Sequence, residues 1–345
     1  MRKLLLASLL VALAIVLVPN RAITWGDTGH MAVNRTAAEK LPADVPAFLK
    51  AHSDYVTYVG PEPDRWRSNL EEPLNKAQAP DHFIDMEYVE WMQPMPGDRY
   101  AYIRAITERR AQHPEQLEAE KVGFQPYETI EVFDRLKVAF REYRHAQKEG
   151  RSTANAEANA LFYAGWLGHY VADGANPLHT TKQYNGWTGD NPNGYTTEHT
   201  IHSKMESAFV NANPDVTKFA DLVGAPKHLD HPFDDYIAYL KESQGKVEKS
   251  YQLEKACGFE GKGSPESREF IRQQLGRGAQ MLLNMWYTAW VDSAQEPEPW
   301  HERGDKKPKV CQSGSQGGAS SDITAGQKSP ADSTRTPSAN PVEAK

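Results

Sequence analysis

Residues 169–179 read HYVADGANPLH, and they constrain the fold more than any other stretch of this chain. The helix they close, EANALFYAGWLGHYVAD, carries Leu161, Phe162, Trp166, Leu167, Tyr170 and Val171 on all sides of a turn of about 3.6 residues, so it has to lie at the centre of a larger body. Gly165 and Gly168 weaken its helix propensity and let neighbouring helices come close. Positions four apart share a face, so His169 and Asp173 project together from the element least able to hydrate them. A buried ionised carboxylate needs a partner. Gly174 is expected to end the helix and Pro177 to stop it resuming, which returns His179 on a stiff turn to the same end. Taken alone, a hydrogen-bonded His169–Asp173 pair with His179 at the surface accounts for these residues equally well.

The spacing recurs in HTIHSKMESAF, where His202 and Glu206 are again four apart and Ile201, Met205 and Phe209 make the helix amphipathic. Two such pairs on separate helices, with His179, supply more ligands than one tetrahedral zinc takes. Further candidates lie outside these helices. GPEPDRWR carries Asp64 and, three residues on, Arg67; APDHFIDME carries His82, Phe83 and Asp85; WGDTGH places His30 five residues after Trp25. Each fragment by itself fits a helix cap or a solvated surface.

MRKLLLASLLVALAIVLVPNRAIT sets Arg2 and Lys3 before an apolar run from Leu4 to Val18 that is short for a membrane span, with small residues Ala22 and Thr24 at its end. Residues 1–24 are therefore expected to be the signal peptide of an exported protein, periplasmic or secreted; an uncleaved anchor is the alternative. Cleavage after Thr24 leaves Trp25 with a free α-amine beside its own carbonyl. Cys257 and Cys311 suit one disulfide in an oxidising compartment, or two surface thiols. Residues 312–345 contain no aromatic residue and are expected to be a disordered tail.

Between these ends, residues 25–311 read as one all-α domain around the buried central helix. Further helices are expected near 29–40, 197–211, 233–246 and 265–292, the last capped by Ser264 with Pro265 in its first turn. ETIEVFDRLKVAFREYRHAQKEG puts Ile130, Phe133, Leu136 and Phe140 on one stripe and closes at Gly150. Loops at 52–100 and 180–196 are longer than a bundle needs, as functional loops often are. Trp91, Trp166, Trp286 and Trp290 are expected in the core, and Trp187 in the second loop as core, lid or stacking residue. His52, His113, His145, His199, His228, His231 and His301 are expected at the surface, His199 being able to support His202.

Trp25 at a processed terminus, His30, PDRWR, DHFID, HYVADGANPLH and His202-x-x-x-Glu206, in that order, resemble the zinc-dependent superfamily that joins the secreted single-strand nucleases P-one and S-one to bacterial phospholipase C. The resemblance runs from Trp25 to Glu206, and the helical pattern carries it to about residue 292. It implies three zinc ions: one held by Asp64, His82, His169 and Asp173; one by His179, His202 and Glu206; one by the amine and carbonyl of Trp25 with His30 and a bridging Asp173. Imidazole and carboxylate suit zinc, and the two cysteines match none of the motif positions.

The implied activity is hydrolysis of phosphodiesters in nucleic acid, preferably single stranded, by metal-activated water, with Asp64, Arg67 and Asp173 catalytic and Arg67, Phe83 and Asp85 binding substrate. Consistently, the chain lacks Gly-x-Ser-x-Gly, a Walker-type glycine loop and His-Glu-x-x-His. Ala172 and Asn176 stand where the nucleases usually have Gly and Gln, and neither change is expected to touch a ligand. Glu206 replaces the Asp common in nucleases, and the loop TTKQYNGWTGDNPNGYTTEHT lacks their Gly-Gly-Asn run. A phospholipase C acting on choline-type lipid is therefore the nearest alternative, and a non-catalytic exported zinc protein a third. The formal net charge of −7 does not favour broad binding of polyanions. No protein partner is implied, and a monomer is expected.

Overall fold

A helix that is apolar on every side needs neighbours on every side, and the computed structural model, which describes residues 25–297, supplies them. The core elements are α1 (Gly26–Glu39), α2 (Ser53–Val59), α3 (Gln125–Lys148), α4 (Ala154–Ala175), α5 (Pro232–Gln244) and α6 (Pro265–Asp292). The central helix is α4, which packs against each of the others. Its residues Leu167, Gly168, His169, Tyr170, Val171, Ala172 and Asp173 are all buried. The described residues form one unit, all-α, with a single isolated bridge between Tyr184 and Gly186 and no strand. No helix among them is long and apolar enough to cross a membrane. Residues 1–24, His301, Cys311 and the expected tail at 312–345 lie outside the described residues. Cys257 is exposed, and its proposed pairing with Cys311 falls outside them too.

The two glycines of α4 mark its closest approaches. A Cβ on Gly165 would stand 2.5 Å from Val59 Cβ of α2, and one on Gly168 would overlap Asn34 Oδ1 of α1. Asn34 fills that seam by donating from Nδ2 to the carbonyls of Val56 and Gly165, both at 2.9 Å.

The carboxyl end of α4 is buried, and burial leaves the last carbonyls of a helix in need of donors. Tyr236 and Tyr239 of α5 donate to Tyr170 O at 3.0 Å and Val171 O at 2.8 Å. Trp25 Nε1 donates to Ala172 O at 2.7 Å and Ser243 Oγ to Gly174 O at 2.6 Å. Gly174 does not end the helix as its composition suggested. Its missing side chain serves packing instead, since Tyr236 Oη and Leu240 press where a Cβ would sit, and the extended Asn176 before Pro177 makes the stop.

Other boundaries shift for local reasons. The expected loop at 52–100 contains Ser53–Val59, Glu62–Arg65, Glu72–Gln78 and the first residues of Arg99–Gln112, with tight turns at Ala79–His82 and Met86–Tyr88. These pieces bury too few residues to show a period, and Glu72–Gln78 buries none. The expected helix at 197–211 starts only at Ile201, because Trp187 N–H takes Thr196 O and Thr200 N–H takes Glu198 O. It then runs through a π turn, Lys204–Ala208, to Ala212. Helix α6 has the expected bounds, with a capping box between Ser264 and Ser267. Trp286 is fully buried and Trp166 and Trp290 pack at the core's edge, but Trp91 is 40% exposed, held through Nε1 by Tyr88 O and Gln116 Oε1.

Candidate metal centre

The supported end of α4 brings Asp173 to a point where four imidazoles converge. Its Oδ2 lies 3.1 Å from His82 Nδ1 and 3.3 Å from His169 Nε2; its Oδ1 lies 3.5 Å from His30 Nε2 and 3.8 Å from His179 Nδ1. His30 comes from α1, His82 from the turn Ala79–His82 and His179 from the turn Pro177–His179. Asp64, in Glu62–Arg65, closes the group with Oδ1 3.8 Å from His82 Nδ1 and 3.9 Å from His169 Nε2. On the far side of His179, Glu206 places Oε1 3.1 Å from His202 Nε2 and Oε2 3.4 Å from His179 Nε2. The π turn therefore keeps the His202–Glu206 pair together.

Three donor groups result, each with its atoms within 4.8 Å of one another: His30, His169 and Asp173; Asp64, His82 and His169; His179, His202 and Glu206. His169 belongs to two of them, so the junction is formed by His169 as well as Asp173. Trp25 is buried against α4, and its carbonyl accepts Gly29 N–H at 3.1 Å.

The hydrogen bonds behind the donors test whether a cation fits. Nδ1 of His169, His179 and His202 lies 2.9, 2.7 and 3.0 Å from the carbonyls of Gly60, His82 and Tyr184. A carbonyl only accepts, so each Nδ1 carries its proton and each Nε2 is the atom left to ligate, as in metal-bound histidines. The Nε2 atoms of His179 and His202 then face each other at 3.2 Å. Asp173 Oδ1 and Glu206 Oε1 are buried and accept no hydrogen bond, though imidazole nitrogens stand 3.5 and 3.1 Å away. Such a set suits zinc, with imidazole and carboxylate donors in number and room for an exogenous oxygen.

The electrostatics divide the histidines: against burial, the charges of Asp173 and Asp64 raise His169, and Asp173 with Glu206 pushes His179 up to about 9, so these two hold protons that a cation would displace. Burial pushes His82 down to about 3, so its imidazole is neutral and able to ligate. Burial likewise lowers His30. Burial opposes the charge of Asp173, yet His179 and His169 hold its carboxyl well below the usual range. Asp173 thus stays ionised in a dry site, a charge that a divalent cation compensates.

Beside the cluster lies a cavity of about 540 Å³ lined by Arg67, Phe83, Asp85, Lys121, Tyr184 and His202, among others. Arg67 is half-buried and its Nε has no hydrogen-bond partner. Phe83 is positioned by Gly123, whose φ of 105° lets the chain press on the Phe83 carbonyl where a Cβ would collide. Asp85 is 8% exposed, and burial, then the charge of Glu87, push its carboxyl up to about 7 against the pull of Lys182.

Two contributors escaped the sequence. Asn176 was expected to touch no ligand; it is buried and donates from Nδ2 to Glu206 Oε2 at 2.9 Å. Tyr184 gives its carbonyl to His202 and its ring to the cavity, whereas Trp187 packs on Tyr195 and Tyr251. His199 is exposed, and the carbonyl bonded to His202 comes from Tyr184.

No family model and no curated protein matches this chain. Among solved structures, an alpha toxin from Clostridium absonum aligns with a TM-score of 0.35 at 12% identity, over 79% of this chain and 66% of that one. An alpha-toxin of Clostridium perfringens from an avian strain gives 0.34 at 11% identity, over 78% and 64%. The chain thus spans about two thirds of the length of each.

Proposed function

We propose that the protein is an exported zinc-dependent hydrolase of phosphodiesters, holding three zinc ions and acting by preference on single-stranded nucleic acid. The observation that carries the reading is the facing Nε2 pair of His179 and His202 above Glu206, next to the Asp173 group and opening on a cavity that contains Arg67. His30, Asp64, His82, His169, Asp173, His179, His202 and Glu206 would hold the metals. Signal-peptide removal would add the amine of Trp25, and the resemblance places its carbonyl there too.

Zinc bound there supplies a nucleophilic water at neutral pH and positive charge for the phosphate oxygens. The chain does the rest by binding and alignment. Arg67 offers a fixed fork of donors to the phosphate and to the charge that grows on it during displacement. Asp64, whose side chain is 11% exposed against none for Asp173, is the carboxylate of its group that solvent reaches, and it aligns the attacking water. Phe83 stacks on a base, and Asp85 reads the base edge as acceptor when ionised and as donor when protonated.

Arg67 and Lys121 in the cavity lining favour an extended polyanion over a quaternary ammonium. A phospholipid headgroup is the second reading, because Phe83, Tyr184, Asp85 and Glu120 also give the lining aromatic and acidic faces. Incubating mature, zinc-loaded protein with single-stranded DNA, RNA or phosphatidylcholine, with and without chelator, separates the readings. Nucleotides released only without chelator are expected. Phosphocholine released instead supports the second reading, and bound zinc without turnover of any substrate leaves a non-catalytic zinc protein.

A further inference from the structure

Tyr184 is 54% exposed, but its backbone is pinned on every side. Its carbonyl accepts from His202 Nδ1 at 3.0 Å, and Asn185 Oδ1 accepts His202 N–H at 3.2 Å. Just before and after, Tyr251 Oη donates to Gln183 O at 2.5 Å and accepts Gly186 N–H at 2.9 Å. An aromatic ring left half in water on a fixed backbone keeps a flat apolar face free to cover a planar ligand.

The ring's placement points to the substrate. It stands edge-on to His202, ring centroids 6.1 Å apart, and lines the cavity shared by Arg67 and Phe83. Phe83 directly follows His82, a donor of the Asp64 group; Tyr184 supports His202, a donor of the Glu206 group. The aromatic rings therefore belong to different donor groups, with Arg67 in the same lining. Trp187, the more obvious candidate in this loop, is spent on packing: its Nε1 donates to Asp190 O at 2.8 Å and its ring lies 4.9 Å from that of Tyr195.

We propose that Tyr184 is a second stacking platform, so that the site recognises a step of two nucleotides with the scissile phosphate between a base on Phe83 and a base on Tyr184. This rests on the nucleic-acid reading above. Stacking is blind to base identity, so the platform would select single strands without imposing a sequence. The supporting role of residue 184 towards His202 is played by its backbone, so the side chain can be altered while that bond stays available.

The test uses mature zinc-loaded protein and three substrates: thymidylyl-thymidine and its two analogues with one base replaced by hydrogen. For the analogue lacking the base that faces Tyr184, the ratio of kcat/KM between intact and abasic substrate is expected to fall about tenfold in Tyr184→Ala and to persist in Tyr184→Phe. The same ratio is expected to fall in Tyr184→Leu, which keeps bulk without a π face. Zinc content, measured alongside, is expected to match wild type in all three. A ratio unaltered by Tyr184→Ala for both analogues, with the dinucleotide still cleaved, overturns the platform and leaves the nuclease reading standing. A wild-type protein that cleaves no dinucleotide overturns both.

Discussion

Nε2 of His179 lies 3.2 Å from Nε2 of His202, and in both rings Nδ1 is already committed to a main-chain carbonyl. Two unprotonated Nε2 atoms at that distance would repel, and without metal a proton is held there instead, because Asp173 and Glu206 push His179 up to about 9 against burial. A shared cation displaces that proton and attracts both nitrogens and Glu206. His202→Ala should therefore lower zinc content by about one ion per chain while leaving the Asp173 group loaded, and lower turnover by more than the ~10–100-fold that loss of an outer hydrogen-bond partner costs. Elemental analysis with steady-state rates reads both, and full zinc occupancy in the variant would remove the assignment.

Asn176 joins the end of α4 to the second donor group. It is fully buried, donates to Glu206 Oε2 at 2.9 Å and accepts Leu178 N–H on its Oδ1 at 3.0 Å. Asn176→Ala leaves a buried carboxylate oxygen without that donor and frees Glu206 to turn. Zinc affinity at the His179–His202 position is expected to drop about 10–100-fold, with a stability loss of about 1–3 kcal/mol. Competition with a zinc-binding dye measures the first and urea melts the second. Unchanged affinity would reduce Asn176 to a helix stop.

Asp85 predicts a pH dependence. Its folded carboxyl is pushed up to about 7, first by burial and then by Glu87, whereas an unfolded aspartate titrates near about 3.9. Between those values the folded state keeps a proton that the unfolded state has lost. The stabilisation is complete below the lower value and disappears as pH rises through the upper one. Asp85→Asn cannot ionise and keeps it. The variant's stability relative to wild type should climb by up to about 1.4 kcal/mol per unit as pH rises towards 7, then level off. Urea melts of zinc-loaded protein across this range check it; a flat difference would mean that Asp85 titrates like an exposed acid.

The ligand-bearing helices were legible because their information is local. His169 with Asp173 and His202 with Glu206 sit at spacings that periodicity converts into a shared face, and Pro177 returns His179 without long-range knowledge. The all-α class followed from the same periods. What was hidden depends on contacts across the chain. Asn176 meets Glu206 over thirty positions of sequence, and Tyr184 lines the cavity while Trp187 packs on Tyr195 and Tyr251. The short helices between Ser53 and Gln78 stayed unseen because their order comes from neighbours. Glu62–Arg65 is a single turn, tied to the preceding helix by the Arg65 bond to Tyr58 O.

Gly168 sets two effects of opposite sign against each other. Alanine there would gain about 1 kcal/mol in helix propensity. Its Cβ would overlap Asn34 Oδ1, however, and Asn34 cannot retreat without releasing the Val56 and Gly165 carbonyls. Overpacking costs about 1–3 kcal/mol and an unsatisfied buried carbonyl about as much again, so Gly168→Ala should be destabilising by roughly 1–5 kcal/mol after the propensity gain. The displacement should also reach the metal site, because the next residue, His169, is aimed by a 2.9 Å bond to Gly60 O. Adding Asn34→Ala restores space but not the lost donors, so the double variant should recover only part of the stability, with a coupling energy measurable in a double-mutant cycle. If Gly168→Ala melts with wild type and binds zinc as tightly, then the close approach of α1 and α4 is not what holds His169 in place.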